Sequence, residues 1–146
     1  MSDHPTFTIE RRLDATPEQV WAAWTDPDQA AAWWHPHGVS TPRETVEIDA
    51  RPGGRYRYTM VRDDTGESFP TGGTYLEVDP PRRLVFTWAD PDADPDEAPI
   101  ATVEIEPDGD GAVLRFTLTR FAADGAGIRS GWDEALDVLE TFLSTR

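Results

Sequence analysis

The stretch Gly131-Trp132-Asp133-Glu134-Ala135-Leu136-Asp137-Val138-Leu139-Glu140-Thr141-Phe142-Leu143 constrains the fold of this chain more than any other. Apolar residues recur at 132, 135, 136, 139, 142 and 143, the i, i+3, i+4, i+7 pattern of one helical face, and Asp133, Glu134, Asp137 and Glu140 take the other side. A helix with so apolar a face must bury it. Most of the chain before it reads as short strands, so a sheet is the large partner on offer. The functional question is what lies between helix and sheet.

In chain order, residues 6–13 alternate Phe7 and Ile9 with Thr8 and Glu10, as a half-buried strand does. Thr16-Pro17-Glu18 opens a helix that carries Val20, Trp21 and Trp24 inward; Asp26-Pro27 ends it and starts a second short helix, 27–34. Residues 35–42 read as a loop. Strands are expected at 43–49, 54–61, 68–78, 82–88, 100–106 and 112–119, linked by short turns except for an acidic loop over 89–99. Gly72-Gly73 suggest a bulge or bend in a curved sheet. Such turn-linked neighbours make an antiparallel meander, and the whole chain, 1–146, is expected to form one α+β domain.

Composition narrows the function. The net charge is −15, every basic residue is Arg, and a surface that repels phosphate argues against nucleic acid. Without Cys there are no disulfides or thiolate metal sites. No apolar run reaches membrane-spanning length and the N-terminus does not read as a signal peptide, so a cytoplasmic protein without membrane attachment is expected.

Four motifs, Trp33-Trp34-His35-Pro36, Pro52-Gly53-Gly54-Arg55-Tyr56, the run from Gly73 to Trp88, and Gly131-Trp132 with Leu136 and Leu139, occur in an order that resembles the bacterial and archaeal branch related to the C-terminal domain of the heat-shock-protein-90 ATPase activator. That branch belongs to the START-like, birch-pollen-allergen-like (SRPBCC) superfamily. The resemblance implies a helix-grip fold, a curved antiparallel sheet wrapped around a long C-terminal helix with an internal cavity. It says less about function, since relatives include carriers, cyclases, receptors and co-chaperone domains.

The residues themselves supply an aromatic-rich interior. The expected ligand-binding set is Trp33, Trp34, Tyr56, Tyr58, Met60, Phe69, Tyr75, Trp88, Trp132 and Leu136, with Tyr56, Tyr58 and Met60 on one inward strand face and Arg55 and Arg57 outside. Gly131 is expected to serve close packing; widening of the cavity mouth is the lesser reading. His35 and His37 form too sparse a set for a metal and sit as polar groups near the mouth. The acidic run from Asp90 to Glu97 lacks the Gly and terminal Glu of a calcium loop and reads as solvated. Arg55, Arg57, Arg62, Arg82 and Arg83 are expected to pair with surface carboxylates. No cofactor, metal or catalytic set is expected.

The leading expectation is a protein that binds a small hydrophobic or amphipathic molecule between the final helix and the sheet. The first alternative is a co-chaperone-like regulator of an ATPase, with a protein partner; known co-chaperones carry an additional N-terminal domain not seen in this sequence. The second is a cavity-based cyclase, dehydratase or hydrolase drawing on Tyr58, Tyr75, Glu10, Glu47 or His35. Homodimerisation is a further expectation. Within the final helix, Leu139, Phe142 and Leu143 are assigned to the core, and Trp132 and Leu136 to the cavity.

Overall fold

Phe7, Ile9 and Leu13 are buried and the residues between them are exposed or half-buried, as period-two alternation requires, in a computed structural model that describes residues 6–35, 37–89, 98–119 and 125–144. This first strand, β1 (Thr6–Leu13), is followed by α1 (Pro17–Thr25) and α2 (Pro27–Trp33). A reciprocal cap starts α1: the Gln19 N–H donates to Thr16 Oγ1 at 3.2 Å, and the Thr16 N–H donates to Gln19 Oε1 at 2.8 Å. Asp26 then both closes α1 and caps α2, its carboxylate accepting from the Asp28 N–H at 3.0 Å. Val20, Ala23 and Trp24 are buried, whereas Trp21 only half enters the core.

The remaining strands are β2 (Val39–Ser40), β3 (Glu47–Ile48), β4 (Arg55–Arg62), β5 (Ser68–Asp79), β6 (Arg83–Thr87), β7 (Ile100–Asp108) and β8 (Gly111–Thr119), and α3 (Gly125–Ser144) follows. The hydrogen-bonded order is β1-β8-β7-β6-β5-β4-β2, with β3 also on β4, and every pairing is antiparallel. This is an open α+β helix-grip architecture. The acidic loop expected over 89–99 falls mostly on 90–97, outside the described residues.

Two local expectations are corrected. Residues 43–49 are not one strand: Arg43–Thr45 make a tight helical turn, with the Thr45 N–H and Oγ1 both donating to Pro42 O, and only Glu47–Ile48 pair with β4. Conversely Val39–Ser40, inside the expected loop, pair with Arg62 and Val61. The glycine pair in β5 permits close approach more than it makes the bulge. A Cβ on Gly73 would stand 1.9 Å from Thr87 O and one on Gly72 2.7 Å from Tyr56 O, while the register slips later, between Tyr75 and Glu77.

The final helix meets β1, α1 and α2. Trp132, Ala135, Leu136, Leu139 and Leu143 are buried on it, and Phe142 is half-buried. Three of its acids do not simply face water. Arg11 of β1 reaches across to Asp137 Oδ1 at 2.7 Å, Glu140 Oε2 at 2.5 Å and, through its second amino group, the Asp133 carbonyl at 3.1 Å and Oδ1 at 3.3 Å. One half-buried guanidinium thus ties three successive turns of α3 to the sheet edge, and charge-assisted bonds of this kind are stronger than neutral ones.

Leu139 is fully enclosed, so Leu139→Ala is expected to lower the unfolding free energy by about 2–5 kcal/mol in urea titrations, with the slope unchanged.

Candidate functional site

Four aromatic residues from four separate segments meet at one end of α3. Trp34 follows α2, Tyr58 lies on the inward face of β4, Trp88 directly follows β6 and Trp132 stands near the start of the apolar stripe of α3. Trp34 is held by its backbone: its N–H donates to Ala30 O, and its carbonyl accepts from the buried Thr41 hydroxyl at 2.7 Å. Trp88 is pinned at both ends, its main-chain N–H on Pro99 O and its indole N–H on the Tyr58 hydroxyl at 3.1 Å. Trp132 packs on Phe116 of β8 at 4.2 Å between centroids, and Trp24 lies behind it at 6.3 Å.

The four rings form two inclined pairs. Trp34 and Tyr58 are 4.7 Å apart at 49°, and Trp88 and Trp132 are 5.4 Å apart at 62°. With His35, Met60, Ile128, Gly131 and Ala135 they enclose a partly open cavity of about 180 Å³ whose wall is nearly all carbon. A void on the order of 150 Å³ holds a benzene-sized guest. Pockets for drug-sized molecules run to roughly 300–1,000 Å³.

Of the ten residues singled out in the sequence, Trp34, Tyr58, Met60, Trp88 and Trp132 surround this cavity. The other five do not. Trp33 is fully buried between the short helices, its indole N–H donating to Ala23 O at 2.8 Å. Tyr56 and Tyr75 pack behind Trp34 with Trp24, Leu84 and Phe86, leaving only about 10 Å³ free, and Tyr56 donates to Thr87 O at 2.7 Å. Leu136 is core. Phe69 is exposed and lies on a neighbouring, more polar cleft with His37, Gly38, Val39, Arg62, Asp63 and Asp64, which shares Met60 with the cavity.

The helical period explains the exchange of Leu136 for Ile128, Gly131 and Ala135. Residues 128, 131, 132 and 135 form one stripe on the cavity side, and 136, 139 and 143 form the adjacent stripe on the core side. Gly131 also departs from the packing role expected of it, because a Cβ there would have no heavy atom within 4 Å. It opens space that any other residue would fill. Ile128 and Ala135 carried the same signal in their spacing from Trp132.

The titratable groups are arranged for neutrality. Burial pushes the Tyr58 hydroxyl up to about 12, against the opposing pull of the Trp88 N–H, which favours the phenolate. Burial also raises Tyr56 and Tyr75, with neighbouring tyrosines adding to the first and Asp49 to the second. Burial lowers His35, Asp63 opposes that shift and His37 adds to it. Glu10 pairs with Arg115 at 2.9 Å and Glu47 with Arg57 at 3.4 Å, both on exposed positions outside the cavity lining. Of the candidate acid–base residues, Tyr58 and His35 share the cavity lining, while Tyr75, Glu10 and Glu47 stand outside it. The surface arginines behave as ion-pair partners, with Arg62 on Asp64, Arg82 on Asp79, and Arg83 on Glu77 and Glu104. Among the described residues, no group of three or more His, Asp or Glu could hold a metal ion, and no helix is long and apolar enough to cross a membrane.

An open antiparallel sheet gripping a long helix, with an aromatic-walled cavity between them, defines a START-like helix-grip protein. The family model for activator of Hsp90 ATPase homolog 1-like proteins matches residues 14–144, and the chain belongs to that family. A solved protein from Chromobacterium violaceum is 30% identical, with 95% of this chain and 97% of that one covered and a TM-score of 0.84. A family member from Silicibacter pomeroyi is 26% identical, covering 97% and 99% with a TM-score of 0.82. A similar protein from Aeromonas hydrophila is 26% identical, covering 97% and 93% with a TM-score of 0.80. Among curated proteins, none matches.

The His35 shift has a defined sign. Its folded pKa lies below the ordinary value of about 6.5, so the unfolded chain takes the proton first; the contribution to stability is present above that pH and is lost as pH falls through the folded value. Urea melts at stepped pH should show wild type losing ground against His35→Gln below about pH 6.5, where the unfolded imidazole begins to bind its proton. A pH-independent difference would contradict the assignment.

Proposed function

We propose that the protein binds a small hydrophobic or amphipathic molecule, inserting a compact apolar group between α3 and the sheet. The observation that carries this reading is Gly131. A glycine in a helix interior costs about 1 kcal/mol against alanine, and here no neighbour needs the space. The stability given up maintains a void walled by Trp34, Tyr58, Met60, Trp88 and Trp132. Cavity volume limits the inserted group to about one ring; a sterol or multi-ring polyketide would need the wall to move.

Regulation of an ATPase is supported by the family's description alone, and no surface feature among the described residues favours it over ligand binding.

Toluene is a suitable first probe, with tryptophan fluorescence and amide NMR shifts as readouts, since three of the six Trp residues line the cavity. Saturable binding with shifts around Trp34, Trp88 and Trp132 is expected. Gly131→Ala should raise the unfolding free energy by up to about 1 kcal/mol and weaken toluene binding, and Gly131→Leu should abolish it. If toluene binds Gly131→Leu as well as wild type, or does not bind wild type at all, the reading fails.

A further inference from the structure

The cavity wall carries more information than its size. A pocket that recognises a carbonyl, a carboxylate or a phosphate presents free donors. Here few donors are on offer, the Tyr58 hydroxyl hydrogen and the His35 ring among them. The Trp88 indole N–H is spent on the Tyr58 hydroxyl. The Trp34 and Trp132 indole nitrogens and His35 Nδ1 have no partner, but protein atoms enclose them so closely that they do not open onto the void. No Arg lines it. What a guest touches is mostly ring carbon, the Met60 thioether and the side chains of Ile128 and Ala135, with the His35 imidazole and the Tyr58 hydroxyl as the polar groups of the lining.

Ring carbon is not electrically neutral in effect. The face of an indole or phenol carries the negative lobe of its quadrupole, and it attracts a cation whose centre lies within about 6 Å of the ring centroid. The two aromatic pairs are inclined at 49° and 62°, so the four rings surround the void in several orientations. The Trp88–Tyr58 hydrogen bond joins one pair to the other, so the four rings form a continuous wall. Burial favours the uncharged form of His35, and no Arg stands in the lining.

The surroundings agree in sign. The adjoining cleft and the His37 contact bring Asp63, Asp64 and Glu134 near the cavity, and the guanidinium that lines the cleft, Arg62, already faces Asp64. Asp63 is close enough to act on His35. The whole chain carries −15, a field that concentrates cations and repels anions.

We propose that the cavity is an aromatic cage for the alkylated ammonium head group of a small organic cation, with Trp34, Tyr58, Trp88 and Trp132 as its walls. A trimethylammonium group is similar in bulk to a benzene ring, which suits the 180 Å³ available. The cleft beyond Met60 gives the rest of such a molecule a polar exit. This inference rests on the cavity being a binding site, and the test separates the two.

The experiment compares choline with its uncharged isostere, the alcohol in which carbon replaces the quaternary nitrogen, by calorimetry on the full chain at physiological salt. That ionic strength screens attraction to the acidic surface and leaves an enclosed contact largely intact. Choline is expected to bind at least about tenfold more tightly than the isostere. Trp88→Leu should erase that preference while retaining the alcohol. Equal or tighter binding of the alcohol by wild type overturns the cage and leaves the cavity reading standing. Failure of choline, the alcohol and toluene alike overturns both. Choline binding that Trp88→Leu does not weaken assigns it to the acidic surface and also overturns the cage.

Discussion

The structure depends on how Trp132 divides its ring between two environments. One side packs on Phe116 of the sheet, with Trp24 of α1 behind, and the other stands against Trp88 at the rim of a void. The side chain is therefore at once the last member of the core and the first wall of the cavity. Anything that rotates α3 about its axis moves both together. The Arg11 clamp opposes that rotation, since its three carboxylate partners lie on three successive turns and hold one face of α3 against β1.

This geometry separates stability from binding along the helix. Below Trp132 in sequence order the chain reaches Ile128 and Gly131; beyond it, Ala135 still faces the void, while Leu136, Leu139 and Leu143 are sealed in the core. Small residues at 131 and 135 make the void, and large ones at 136, 139 and 143 fix the helix that bounds it. The tyrosines repeat the division on the sheet side. Tyr56 is bonded to Thr87 O and belongs to the packed interior, whereas Tyr58, two residues on and on the same face of β4, accepts the Trp88 indole N–H at the cavity wall.

Much of this was legible in the sequence, because the large-scale order follows from periodicity. The stripe on α3, the caps at Thr16 and Asp26 and the alternation of β1 and β4 are local signals with local causes, and the structure reproduces them. The failures were of another kind. Arg43–Thr45 turned helical because Pro42 O accepts two bonds from Thr45, a competition that apolar alternation at Val46 and Ile48 does not reveal. The acids at 133, 137 and 140 fall on the side away from the apolar face, but their partner, Arg11, was not legible because it lies more than a hundred residues away on β1. In the site, aromatic content identified the walls but could not rank depth: Trp33 and Trp34 are adjacent in sequence, and only the second reaches the cavity. Glycine at 131 was read as a packing residue because sequence shows a missing side chain but not what stands opposite.

The central claim is that a real void, not a repacked core, lies between α3 and the sheet. A crystal structure determined under xenon pressure addresses it without assuming any ligand, since xenon enters apolar cavities of about this size. The account predicts a xenon atom among Trp34, Tyr58, Met60, Trp88 and Trp132, beside Gly131. The absence of xenon there, with those side chains closed together, would contradict it.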